Sequence, residues 1–149
     1  MQTAPRATVQ MARHVPPGVP TVLLVESRRD DRSMYSEYLQ LRGFKPLEAD
    51  TTDEALRHAA LAQVIVTGVR VNGSFDGLEL VRKLRAAENT QSKPIIVLTA
   101  WALEPSQQEA LAAGCDVFLS KPCLPKTLAT EIRRALKSRR VARIRANKT

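Results

Sequence analysis

The chain has 149 residues, 44% of them apolar, and a formal net charge of +8. That is the length of one domain with apolar residues enough for one core, while no apolar run approaches the roughly 20 residues that cross a bilayer and no apolar stretch at the N-terminus suits a signal peptide. A membrane-spanning or secreted protein is excluded on these grounds and a cytoplasmic one expected; Cys115 and Cys123 supply neither a disulfide framework nor zinc-ligand spacing and read as reduced thiols.

The charge sits at the two ends. Arg6 and Arg13 give residues 1–20 a charge of +2 without an acid, and Lys137, Arg139, Arg140, Arg143, Arg145 and Lys148 give residues 137–149 a charge of +6, also without an acid. The stretch between is neutral, which argues against a nucleic-acid-binding body.

Residues 1–20 carry Pro5, Pro16, Pro17 and Pro20 and little periodicity, and read as a disordered leader. A buried strand is predicted over 21–26. Asp30 or Asp31 can cap the helix after it, whose inward face is predicted from Met34, Tyr38 and Leu41 at i, i+4, i+7, with Gly43 as its left-handed stop. A second strand is expected over 44–49. Thr51 and Glu54 form a capping box that opens a helix through about Ala62, and the third strand follows over 63–67. Asn72-Gly73-Ser74 marks a loop before a helix over 78–87 that turns Leu80, Val81 and Leu84 inward. Pro94 begins the fourth strand, which ends at Thr99. Pro105 suits a helix first turn, and Gly114 closes that helix. The fifth strand spans 116–120. Pro125 opens the last helix, with Leu128, Ile132 and Leu136 as its apolar stripe. Beyond Leu136 the stripe gives way to Arg139 and Arg140, and a solvated basic tail over 138–149 is expected to leave a 21–137 domain.

Five strand–helix repeats imply a parallel sheet covered on both faces. Such sheets bind ligands beyond the carboxyl ends of their strands. Glu26, Thr67-Gly68, Thr99 and Lys121 all fall at those ends.

Val22–Glu26, Val64–Gly68, Ile95–Ala100, Asp76-Gly77, Phe118 and Lys121-Pro122 together make residues 21–137 resemble the receiver domain of bacterial response regulators. The resemblance implies a flavodoxin-like, doubly wound α/β fold with a five-stranded parallel sheet in the order 2-1-3-4-5 and five helices. In that family two acids after the first strand and an aspartate after the third hold magnesium, and the aspartate accepts phosphate. A lysine contacts the phosphoryl group, and a hydroxyl after the fourth strand couples it to an aromatic switch residue. Magnesium favours several hard oxygen ligands, and the transfer needs the cation to neutralise converging negative charge.

This chain departs from that pattern. The acid pair is Glu26-Ser27, and the phosphoacceptor aligns with Gly68, or with Val69 if the loop has no insertion. Glu26, Ser27, Thr67, Gly68, Thr99 and Lys121 then form a vestigial pocket with no catalytic residue, no metal site and no cofactor, because Glu26 alone of the usual acids remains. Lys121 is expected to pair with Glu26. Asp30, Asp31 and Asp76 read as cap and loop residues. Phe118 and Trp101 mark a partner-contact face; His14 and His58 receive no role.

The expected function is a phosphorelay module that is not an enzyme and acts by phosphorylation-independent contact with a histidine kinase or another signalling protein. Two alternatives stand beside it: a phosphorylated receiver using a displaced aspartate, and nucleic-acid binding through residues 137–149, weighed below a solubilising role for that segment.

Overall fold

A computed structural model describes residues 18–100 and 104–148. Five strands, β1 (Thr21–Val25), β2 (Lys45–Ala49), β3 (Val64–Thr67), β4 (Ile95–Thr99) and β5 (Val117–Ser120), alternate with α1 (Arg29–Leu41), α2 (Thr52–His58), α3 (Gly77–Ala86), α4 (Glu104–Ala113) and α5 (Pro125–Lys148). The strands are all parallel, in the order β2-β1-β3-β4-β5. This is the doubly wound arrangement expected from the sequence.

The central strands are apolar along their whole length because both faces are covered. Side chains alternate across the sheet. Leu23, Val25, Ile65, Ile95 and Val97 pack with α2, α3 and α4. Val22, Leu24, Val64, Ile96 and Leu98 pack on the other face with α1 and α5, through Tyr35, Leu39, Leu128 and Ile132.

Most element boundaries fall within a residue or two of expectation, and the departures have local causes. The inward face of α1 is Tyr35, Ser36 and Leu39, while Met34 is 40% and Leu41 84% exposed, so the predicted Met34–Tyr38–Leu41 face is corrected by about one residue around the helix. Tyr38 alone of the three packs partly against the core. Neither Asp30 nor Asp31 caps α1: its N-cap is Arg28, with both acids in the first turn. Half of the expected capping box of α2 forms: the Glu54 amide donates to Thr51 Oγ1 at 3.1 Å, while the Glu54 carboxylate reaches back one residue further and accepts from the Asp50 amide at 3.2 Å. That helix ends at His58 and a 3₁₀ turn, Ala59–Leu61, finishes the crossover. β5 starts at Val117, one residue after expectation; Asp116 before it is joined to β4 by its amide, which donates to the Ile95 carbonyl, and by its carboxylate, which accepts from the Ile95 amide and from Arg85, all at 2.8 Å. Gly43 and Gly114 close α1 and α4 with positive φ. The last helix runs on through 138–148, so the expected tail is continuous with α5.

Candidate functional site

The carboxyl ends of β1, β3, β4 and β5 meet at one edge of the sheet, and the loops leaving them form a cleft. Lys121 follows β5. Its amide donates to the Thr99 carbonyl at 2.8 Å, which continues the β4–β5 pairing by one residue and turns the side chain into the cleft. Its ammonium lies 2.7 Å from Glu26 Oε1, as the sequence led us to expect, and 2.7 Å from Asp31 Oδ2, which it did not.

Glu26 leaves β1 with 8% of its surface exposed. Its second oxygen, Oε2, accepts from the Arg28 amide at 2.9 Å, so one carboxylate oxygen serves the backbone and the other the lysine. Arg32 holds this corner from α1, donating to the Glu26 carbonyl at 2.7 Å and pairing with Glu48 at 3.1 Å. Asp31 also approaches Arg28 at 3.4 Å, although Arg28 is 76% exposed and contributes little. Burial opposes the charge on Lys121, but the hydrogen bonds from Asp31 and Glu26 and their negative charges outweigh it and hold the ammonium above the ordinary lysine pKa.

The β3 side of the cleft has no carboxylate. Thr67 is fully buried and its hydroxyl donates to the Gly68 carbonyl at 3.0 Å. A side chain at Gly68 would point toward Glu26: an added Cβ would lie 3.9 Å from Glu26 Oε1 and 3.4 Å from a Val71 methyl. Of the two alignments open in the sequence, this geometry favours Gly68 as the position facing the acids. Ser27 turns outward. Its hydroxyl donates to the Asp50 carbonyl at 3.0 Å and accepts from the Asn72 amide at 2.7 Å, joining the β1, β2 and β3 loops. Thr99 ends β4 nearly buried.

Asp31 is the cleft residue that sequence reasoning missed. It stands five residues after Glu26, in the first turn of a helix that starts at the cleft edge, where an acid is also favoured by the helix dipole. That placement is the signal that could have found it, yet it fits Asp30 equally, and Asp30 is exposed. Asp76 takes the expected cap role: it accepts from the Glu79 amide at 2.8 Å at the start of α3. Tyr35 was also unforeseen as a support. Its hydroxyl donates to the Cys123 carbonyl at 2.6 Å and so ties α1 to the loop that carries Lys121. Phe118 packs against the core layer of α2, α3 and α4. Trp101 lies outside the described residues.

Residues 22–133 match the response regulator receiver domain family. The chain is 31% identical over 121 residues to the phosphate regulon transcriptional regulatory protein PhoB of Pseudomonas aeruginosa, covering 78% of this chain and 52% of that protein. It is also 31% identical over 119 residues to a cyclic di-GMP phosphodiesterase of Thermotoga maritima, of which it covers 32%. The chain therefore spans about half or less of the length of these relatives. Among solved structures it superimposes on the chemotaxis response regulator CheY4 of Vibrio cholerae with a TM-score of 0.72 and 31% identity, covering 78% of this chain and 98% of that one. It also superimposes on the receiver domain of the sensor histidine kinase PA1611 of P. aeruginosa PAO1, whose active-site cleft coordinates magnesium, with a TM-score of 0.74 and 28% identity, covering 80% and 99%.

Proposed function

The chain belongs to the response regulator receiver domain family, and from that premise we propose that it is a degenerate receiver, one that signals by contact with a protein partner without becoming phosphorylated. The observation that carries this reading is the Glu26–Lys121–Asp31 cluster opposite a β3 end that reads Thr67-Gly68. A lysine in this position has a phosphoryl group to contact only if a carboxylate accepts one. Here the ammonium is already neutralised by two carboxylates at hydrogen-bond distance.

The same cluster bears on magnesium. A hard dication needs several oxygen donors free to converge on it. Glu26 offers one oxygen to Arg28 and the other to Lys121, and Asp31 faces the same ammonium. Binding would have to expel Lys121 and still lack a carboxylate from the β3 side, so these residues do not fit the ion. The output of such a domain is the choice of which signalling protein it docks, a histidine kinase or another phosphorelay component in the cytoplasm.

Incubation of the full chain with acetyl phosphate and magnesium, followed by intact-mass measurement, tests this. No phosphorylated species is expected. An acyl phosphate would overturn the reading and favour the second one, in which a displaced aspartate accepts phosphate. The contact of Asp31 with Lys121 is the observation in its favour, and an Asp31→Asn variant that abolished the modification would assign it.

A further inference from the structure

At the opposite edge of the sheet, below the amino ends of β1, β3 and β4, a groove of about 940 Å³ opens between Pro20, Gln63, Pro94 and the middle of α5. Its floor is apolar, from Phe44 and Leu136 among others. Its charged lining residues are Arg42, Lys93, Arg133 and Lys137, with no acid. Residues 21–136 as a whole are neutral, so four cations in one groove with no acid lining it are a local concentration.

Their contacts divide the work. Lys93 is spent on the wall: its ammonium donates to the carbonyls of Ala59, Ala60 and Ala62, the exposed end of the 3₁₀ turn. Arg133 lies with its guanidinium 5.2 Å over the Phe44 ring and donates to the Arg42 carbonyl at 3.2 Å. Arg42 sits over Tyr38 in the same manner, at 5.2 Å. Stacking fixes the planes of both guanidiniums while leaving the groups exposed at the rim. Lys137 is exposed at the end of the groove.

From that point α5 does not stop. It continues as helix to Lys148, through a segment, 137–149, with six basic residues and no acid. At 1.5 Å per residue this adds a helical extension of roughly 16 Å. Groove and extension thus share one element and one sign of charge.

We propose that the Arg42–Arg133–Lys137 groove and the basic end of α5 form one continuous surface that binds the sugar–phosphate backbone of nucleic acid without reading its sequence. Basic residues recurring in sequence along one helix suit a polyanion of regular spacing. Duplex DNA presents a charge about every 1.7 Å of its axis, so an extension of this length faces several phosphates. The described groove residues offer guanidinium and ammonium donors suited to phosphate and no motif for base edges. The surface lies across the sheet from Lys121, so binding there is independent of the cleft.

The test is fluorescence anisotropy of a labelled duplex of arbitrary sequence, titrated with the full chain across a salt series. Wild type is expected to bind at low salt, with log K falling linearly against log salt. Arg133→Gln with Lys137→Gln should lower the magnitude of that slope by about 2. Lys137→Gln alone, at an exposed position, should lower it by about 1, which keeps the test alive if the double variant folds poorly. Arg82→Gln, on α3 away from the groove, removes the same charge and should leave the slope unchanged. The proposal fails if wild type does not bind DNA at low salt, if the groove variants keep the full slope, or if Arg82→Gln reduces it equally. Capture of polyglutamate in place of DNA would also overturn it, in favour of an acidic protein partner.

Discussion

Lys121 is a cation held between two carboxylates, and the arrangement is worth most through what its loss would leave behind. Its side chain is 14% exposed, that of Glu26 10% and that of Asp31 27%. Replacing Lys121 by methionine keeps the apolar stem and deletes the charge, so two acids would face each other with no cation between them. Breaking a buried pair costs about 3–5 kcal/mol; with Asp31 partly in water we expect about 2 kcal/mol from urea unfolding at neutral pH. Adding Glu26→Gln and Asp31→Asn removes the stranded charges and should restore most of the loss, which an unsatisfied hydrophobic contact could not explain. A Lys121→Met protein as stable as wild type would show that the cluster is not structural. Half of this cluster was legible in the sequence, because strand ends fix where Glu26 and Lys121 stand. Asp31 was not, because adjacent residues on a helix point about 100° apart, and sequence alone does not say which of Asp30 and Asp31 faces the sheet.

The loop from β3 to α3 sets the shape of the cleft, and two glycines in it carry different burdens. Gly77, the first residue of α3, lies against the backbone of the loop: its amide donates to the Val69 carbonyl at 2.8 Å, and a Cβ there would fall 1.7 Å from the Gly68 carbonyl oxygen. Gly77→Ala must therefore displace backbone, and we expect about 3 kcal/mol of destabilisation. At Gly68 a Cβ would meet neighbours no nearer than 3.4 Å. Gly68→Ala should cost less than about 1 kcal/mol, and paired urea melts of the two variants check the contrast. The consequence reaches function: a Cβ fits at Gly68 without displacing backbone, so the backbone there does not itself impose glycine. At this scale the sheet was the most readable part, since unbroken apolar runs such as Ile95–Leu98 fit only strands covered on both sides. The face of α1 was misread because it offers two overlapping apolar stripes, Met34–Tyr38–Leu41 and Tyr35–Leu39. Packing against α5 and the long-range bond from Tyr35 to Cys123 decide between them, and neither is encoded in spacing. The length of α5 was open for a related reason: charge repulsion predicts where a helix stops packing, which is not where its backbone stops.

Across the whole molecule the perturbed groups act mainly in one direction of pH. Burial lifts the Cys115 thiol from 9.0 to about 11. Burial, with the charges of Cys123, Asp31 and Glu26, lifts the Tyr35 hydroxyl from 10.0 to about 12. Lys121 is also raised, its acidic partners prevailing over burial. Each of these groups keeps its proton in the folded chain at a pH where the unfolded chain has released it. Their contribution is therefore complete below the unfolded pKa values and is lost as pH climbs through the folded ones. Lys93 acts in reverse: burial lowers its pKa, so the fold gains relative stability as pH approaches the ordinary lysine value. Burial raises the Cys123 thiol as well, and four groups against one give a decline beginning near pH 9 and steepening toward 11, on the order of a few kcal/mol in total. Thermal unfolding midpoints measured from neutral pH to about 11 should show it as a plateau followed by a fall. Cys115→Ala removes one titration without touching the cleft, and the fall between 9 and 11 should become shallower in that variant. An unchanged profile would mean that Cys115 releases its proton at the same pH in the folded and unfolded chains, and that the alkaline limit of this fold is set by Cys123, the lysine in the cleft and the tyrosine that anchors its loop.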